Sequence, residues 1–426
     1  MSQPRQRVRT YSRIYLGGWA LPILFYMAPI TGYWDIDAWS ITAVMLVVAS
    51  GYLAIRIAQL QTVRQPPLVD VAASPSRYLR ILMVFAALSL VGGQLVLTEQ
   101  ANFLSGFSFE NLQERYIALI ASSNEGTATH SLGSTIGNLL RSTFFVAVAA
   151  YVVYTKIERS VFWRLVATAV ILAALGQSFF VNVSRLQFMF YLVFGVVVAS
   201  LIGHPVLRHK KWILLGGGVA VIFLVVTMDQ RLSTTFSDNN VAANAMMGLF
   251  GAEMQGLGQY ILDHFGLSAL ILSMYMTQGI PEFVRLVAYN PSPYALGGQS
   301  FFLIVSPIAR LLGSPLQVDM TLISNQGLWW GLLGDLYLDV GEYYPIAYPI
   351  VLYVIVRIAR RFDYDGPFAL AFRGLTTALL LIVPYTGIFN TFAASYLMLW
   401  LFAGLEKAGR RVRAPREIIA GHAQGA

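Results

Sequence analysis

The sequence predicts an all-α, polytopic integral-membrane protein, and three observations predict it. Of 426 residues, 57% are hydrophobic and 12% charged, where a soluble globular protein usually carries about twice that charged fraction. Mean hydropathy is +0.62, and apolar runs long enough to cross a bilayer recur along the chain. The lysines and arginines fall in clusters between those runs, as membrane topology requires. That clustering also explains the net charge of +8 without a nucleic-acid partner. There is no cysteine, which excludes disulfides, thiol nucleophiles and Cys-ligated zinc or iron–sulfur sites.

Taken in order, the first run is Ile14–Trp34, behind a basic segment with Arg5, Arg7, Arg9 and Arg13. It is too long for a signal-peptide core and lacks a small-residue cleavage site, so it reads as a retained helix. Ala38–Ile55, Ile81–Thr98, Leu139–Thr155, Leu165–Ser184, Leu186–Gly203 and Trp212–Met228 follow. After a long mixed region come Tyr343–Val356, Phe368–Ile388 and Thr391–Leu405, which makes ten predicted spans. Alternating helices put every basic cluster on one side, from Arg5–Arg13 to Lys407–Arg416. That side is the cytoplasm, and both termini are expected there.

The chain reads as a single membrane domain, residues 1–426, without an internal repeat. Two long loops face outward, Glu99–Asn138 and Asp229 to Glu342. The second is too long for an unstructured connection. Its apolar pieces, Phe265–Met276 and Phe301–Leu312, read as interfacial helices, a re-entrant hairpin or two further spans. The expected total is therefore about ten to twelve transmembrane helices.

The chemistry is expected on the outer side. All four lysines lie on the cytoplasmic side, while the outer side carries only arginines: Arg115, Arg141, Arg185, Arg231, Arg285 and Arg310. Arginine outnumbers lysine 25 to 4, so chance gives this pattern too. Alternatively, the planar guanidinium fork binds an anion such as phosphate in bidentate fashion. Arg185, in FFVNVSRLQFMF, stands between two apolar runs with almost no loop. It reads either as an anion-binding residue or as an arginine snorkelling to the interface. Arg231 in MDQRLSTTF reads as a boundary anchor or a substrate contact. Arg285 and Arg310, on apolar pieces of the second loop, read as headgroup contacts or substrate-binding residues.

The acids centre on GDLYLDVG, where Asp335 and Asp339 stand four apart and share a helix face, with Tyr337 between them. Acids at the mouth of a membrane helix are costly to place, which points to function. Two close carboxylates resist ionising together, which suits one of them to take a proton. Asp335 is the first choice of base; its other reading is a helix cap or an ion pair with an outer arginine. Glu282, Glu253, Asp263, Glu342, His130 and His264 are weaker candidates. No His/Glu spacing resembles a zinc site. Asp35-Ile36-Asp37 is a DxD, but its loop has only about four residues between spans, so an aspartate turn is the expected reading.

Several of these pieces resemble one family, the bacterial O-antigen/oligosaccharide repeat-unit polymerases (the Wzy class). GLLGDLYLDVG resembles its Gly-acid-Leu-Tyr pattern, here Gly334, Asp335, Leu336, Tyr337 and Gly341, where the family more often has Glu. Ser184-Arg185 resembles a Ser-Arg entering an apolar helix. Tyr275, Thr277, Gly279, Tyr294, Gly297 and Ser300 resemble a Tyr–Thr–Gly stretch followed by Tyr-x-x-Gly-x-x-Ser. Gln278 stands where many relatives have histidine, so a general base at that position is not expected.

The resemblance implies a GT-C-like, metal-independent membrane glycosyltransferase of the inner membrane, with its active site facing the periplasm. Donor and acceptor would be oligosaccharides on undecaprenyl pyrophosphate, and no cofactor is implied. The acceptor hydroxyl attacks the anomeric carbon, and undecaprenyl pyrophosphate leaves. Asp335 and Arg185 are then catalytic, and Arg231, Arg285, Arg310, Tyr275 and Tyr337 bind substrate. Membrane lipids and a chain-length regulator are the other expected partners. The competing readings are an O-antigen ligase, which shares the chemistry, and a transporter or flippase, which predicts two similar halves.

Overall fold

The computed structural model describes residues 10–28, 30–33, 36–61, 74–103, 132–182, 185–208, 217–218, 222, 239–249, 251–277, 279–289, 331–364, 366–385, 392 and 395–410. Nearly all of them are helical. In order the elements are α1 (Thr10–Met27), β1 (Thr31–Tyr33), α2 (Ala38–Leu60), α3 (Pro75–Phe103), α4 (Leu132–Arg141), α5 (Phe144–Ile157), α6 (Val161–Asn182) and α7 (Arg185–Leu201). Then come α8 (Asn239–Leu249), β2 (Ala252–Met254), α9 (Gly256–Phe265), α10 (Leu267–Thr277), α11 (Gly279–Tyr289), α12 (Gly331–Val340), α13 (Tyr344–Arg360) and α14 (Pro367–Ile382). Residues 395–410 form α15.

Among the described residues, five helical stretches are long and apolar enough to cross a membrane: Ala38–Leu60, Pro75–Thr98, Ile136–Ile157, Val161–Ser178 and Gly331–Arg360. Large apolar side chains on them face outward, among them Leu46, Leu53, Val84, Phe162, Leu165 and Ile346. Such a surface is costly in water and suits lipid. The protein is a helical membrane protein.

Two compact units divide the chain. Unit one takes Met1–Gln61, Leu214–Arg357 and Leu379–Ala393; unit two takes Thr62–Ile213, Ile358–Ala378 and Ala394–Ala426.

In unit one, the expected first span Ile14–Trp34 is cut short. The helix ends at Met27, and Thr31–Tyr33 pair antiparallel with Ala252–Met254 in the register Thr31↔Met254, Gly32↔Glu253, Tyr33↔Ala252. An apolar run reports burial rather than helicity, and here its last residues find a distant strand. Behind the ribbon, Ile30, Ala242, Ala243, Met247, Ala252 and Leu262 pack with Leu267, Leu270, Ile271 and Met274 of α10. Gly258 permits this closeness, because a Cβ there would strike the Ile30 carbonyl oxygen. Of the two pieces of the second loop left open by the sequence, Phe265–Met276 falls almost wholly in α10, one of three short helices α9 to α11, and Phe301–Leu312 lies outside the described residues. The 11-residue α10 spans roughly 16 Å at 1.5 Å per residue, about half a hydrocarbon core.

Deeper in unit one a polar knot ties three helices. The Tyr15 hydroxyl donates to the Val48 carbonyl at 2.9 Å and meets the Tyr348 hydroxyl at 3.0 Å. Trp19 Nε1 donates to the same Tyr348 hydroxyl at 3.3 Å. Buried hydroxyls are tolerated when they are bonded, so the knot fixes α1, α2 and α13 at little desolvation cost. Gly51 makes room, since a Cβ there would stand 2.7 Å from the Tyr15 oxygen and from the Tyr348 ring.

In unit two, α3 packs against α4, α5 and α6. The predicted span Leu139–Thr155 falls within the single stretch Ile136–Ile157, with a two-residue turn at Ser142–Thr143 between α4 and α5. Thr143 Oγ1 donates to the Phe85 carbonyl at 2.9 Å, and Ser395 Oγ donates to Ser142 Oγ at 2.7 Å. After the turn, Phe144 and Phe145 meet Tyr191, and Phe145 also meets Phe190 and Phe194, mostly edge to face. Arg373 pairs with Asp363 at 3.0 Å, and Arg410 with Glu406 at 3.3 Å.

Candidate functional site

The site is built on α12. Its first residue, Gly331, has φ +64°, and a Cβ there would stand 2.6 Å from the Val383 oxygen and 2.7 Å from the Pro384 oxygen. Only glycine fits both the left-handed backbone and the space. The Leu332 N–H donates to the Val383 carbonyl at 3.1 Å, which seats the helix start. Every residue from Gly331 to Asp339 is then buried. Asp335 is 3% exposed and Asp339 2%. Asp335 is the fifth residue of the helix, so it is not an N-cap. Burying a carboxylate carries a penalty of several kcal/mol before compensation, and a chain that keeps two on one face marks a place of functional interest.

Against α12 packs α11. The Tyr337 hydroxyl donates to the Val287 carbonyl at 3.2 Å. Phe283 stands edge-on to Tyr337 at 6.3 Å and to Tyr344 at 5.1 Å, and Tyr337 meets Tyr344 at 5.7 Å. This aromatic seam joins the acid-bearing helix to the helix that carries Glu282 and Arg285. Those two pair at 2.9 Å, one turn apart, and Arg285 Nη2 donates to the Gly251 carbonyl at 2.9 Å. Gly251 has φ +53°, and a Cβ on it would stand 2.5 Å from that same nitrogen.

The structure thus brings Tyr337 and Arg285 onto adjoining helices with Asp335 and Asp339. Arg285 sits on Glu282, its charge compensated, rather than on an open interfacial face. Tyr275 is half-buried against the core behind the β-ribbon. Arg185 opens α7 in unit two. Arg231 and Arg310 lie outside the described residues, as do His130, Arg115 and the side chain of Arg185. His264 is exposed on α9, stacked on Tyr260 with its Nδ1 3.0 Å from the Tyr260 carbonyl oxygen. Asp37 is the N-cap of α2, its Oδ1 accepting from the Ser40 N–H at 2.8 Å. Hydrogen bonding to Ser40 holds its carboxyl below the usual range. Asp35 lies outside the described residues.

Sequence reasoning weighed Glu282 and Arg285 separately and missed that they form one unit, although a spacing of three on a helix is a pairing signal. Among the described residues, no group of three or more His, Cys, Asp or Glu is arranged to hold a metal ion. The chain matches no family model, no curated protein and no solved structure.

Proposed function

We propose that the chain polymerises lipid-linked oligosaccharide repeat units. It transfers a glycan from undecaprenyl pyrophosphate to the non-reducing end of a second unit carried on the same lipid. The observation that carries this reading is the burial of Asp335 and Asp339 on one face of α12, within the Gly-acid-Leu-Tyr motif of a membrane chain. In this reading Asp335 takes the proton of the acceptor hydroxyl as its oxygen bonds to the donor's anomeric carbon. The bond from that carbon to the pyrophosphate oxygen breaks, and negative charge grows on the leaving group. Arginine stabilises that charge more in the transition state than in the ground state; Arg185 is assigned the role, with Arg231 and Arg310 as further contacts. Arg285, bound to Glu282, ties α11 to the Gly251 carbonyl, and Tyr337 and Tyr275 line the approach of the sugars. The orientation that goes with this reading is cytoplasmic termini, a periplasmic site and a GT-C-like arrangement.

The test is Asp335→Asn, which preserves shape and removes the charge, scored by glycan ladder length and protein level together. The proposal expects normal accumulation of a protein that leaves single repeat units. A normal ladder removes Asp335 as the base. A fall in protein level together with the ladder assigns Asp335 to a structural pairing instead.

A further inference from the structure

Unit two buries three arginine side chains among its described residues: Arg141, Arg373 and Arg410. Two sit on carboxylates, Arg373 on Asp363 and Arg410 on Glu406. Arg141 is different. It is 6% exposed, closes α4 inside the candidate span Ile136–Ile157, and its described partners are neutral. Nη1 donates to Asn138 Oδ1 at 3.0 Å, and Nη2 to Ser178 Oγ at 3.4 Å. Ser178 Oγ in turn donates to the Tyr191 hydroxyl at 3.5 Å. Among the described residues no carboxylate pairs with Arg141, and its Nε–H has no hydrogen-bond partner.

A guanidinium stays protonated at any physiological pH, so burial cannot neutralise it as it would a lysine. A permanent charge withdrawn into a helix bundle needs a counter-charge, or it costs several kcal/mol. The fork geometry and the unused Nε–H favour a planar or tetrahedral oxyanion over a point charge. The surroundings agree. Ser178 and Tyr191 add hydroxyls that can turn to donate. Ser178 lies four residues before the end of α6, about 6 Å at 1.5 Å per residue, and Tyr191 six residues into α7, about 9 Å. Arg141 therefore lies one to two turns inside the α6–α7 junction, at the end of the bundle where α4 begins.

We infer that Arg141, with Ser178 and Tyr191, forms an oxyanion site in unit two that takes a phosphate-type group. The inference does not rest on the polymerase reading: it comes from one buried cation and its neutral neighbours, and it concerns binding rather than transfer. Two sources supply that chemistry, the headgroup of a phosphorylated lipid and a free phosphate or pyrophosphate.

The experiment uses the full chain, purified in a neutral detergent and also placed in phosphatidylcholine nanodiscs with and without phosphatidylglycerol. Thermal unfolding is followed by tryptophan fluorescence as inorganic pyrophosphate is titrated. The expected result is a saturable rise in Tm for the parent protein, from pyrophosphate if the free anion is taken and from phosphatidylglycerol if the headgroup is. Arg141→Gln should abolish the rise and leave the unliganded Tm equal or higher, because an uncompensated charge is gone. Arg141→Lys should weaken the rise by ten-fold or more in midpoint concentration. Two results overturn the inference. One is a parent protein whose Tm responds to neither source. The other is an unliganded Tm that falls in Arg141→Gln and falls alike when Glu110, Glu114 and Glu125 of the first outer loop are changed to Gln, which assigns Arg141 to an internal ion pair.

Discussion

Glu282 and Arg285 meet at 2.9 Å with both side chains largely withdrawn from solvent. Removing one partner leaves the other charge buried. Glu282→Gln is expected to lower unfolding stability by on the order of 3 kcal/mol. Glu282→Gln combined with Arg285→Gln should lose less than the two single changes summed, a coupling that a double-mutant cycle reads directly. Arg185→Ala is expected to cost about 1.5–3 kcal/mol of transition-state binding, roughly a ten- to hundred-fold slower polymerisation. Arg185→Lys should also be impaired, because the charge remains and the fork is lost; full-length polymer from a stably expressed Arg185→Ala protein removes Arg185 from the site. His204 offers a pH test. Its Nδ1 accepts from the Val206 N–H at 3.2 Å and its Nε2 is 3.4 Å from Thr155 Oγ1. Burial lowers its pKa, and Lys156 and Arg164 lower it further. The unfolded chain therefore binds the proton more readily, so stability is full above the unfolded value of about 6.5 and falls as pH drops below it. His204→Gln should flatten that slope in pH-dependent unfolding. At this scale the sequence was legible where chemistry is local: Asp37 reads as a turn aspartate and caps α2. It was not legible where the partner is distant, as with the Gly251 carbonyl that holds Arg285.

Helices were legible by their apolar length, and their ends were not. Ala38–Ile55 and Ile81–Thr98 fall inside α2 and α3, because nothing but lipid and neighbouring helices acts on those runs. Leu139–Thr155 lies within the stretch Ile136–Ile157 but carries a turn at Ser142–Thr143, whose hydroxyls find Ser395 and Phe85, contacts invisible to a hydropathy window. The Phe265–Met276 piece, now α10, was ambiguous because burial in protein and burial in lipid select the same residues. The seating of α12 is a sharper matter. Gly331→Ala puts a Cβ 2.6 Å from a backbone oxygen at φ +64°. The backbone strain alone is about 1–2 kcal/mol, and the fixed carbonyl adds to it. The expected outcome is a lower Tm and a lower yield of protein in the membrane. An unchanged Tm in Gly331→Ala would mean that the start of α12 is not fixed by Val383 and Pro384.

For the whole molecule, topology is the testable expectation. The chain has no native cysteine, so each introduced one reports alone. Cysteines at Asn124 and Ser237 are expected to react from the outside, and those at Arg64 and Lys210 from the cytoplasm; residue 237 reacting from the cytoplasm overturns the orientation. Activity of the purified protein is expected to survive EDTA, and loss that magnesium or manganese restores would move the chemistry toward the Asp35–Asp37 pair. The ten-span pattern was read from charge and hydropathy, whereas the division into two units interleaved along the chain leaves no trace in either. That interleaving reaches its extreme in the ribbon of Thr31–Tyr33 with Ala252–Met254. The first strand is made early and its partner far downstream, so at about 5–20 residues per second the ribosome supplies the partner only on the order of ten seconds or more later. Until then Thr31–Tyr33 have no strand to pair with, and the ribbon and the α10 core close only after most of unit two has been synthesised. Unit one is thus begun first, yet its ribbon closes late.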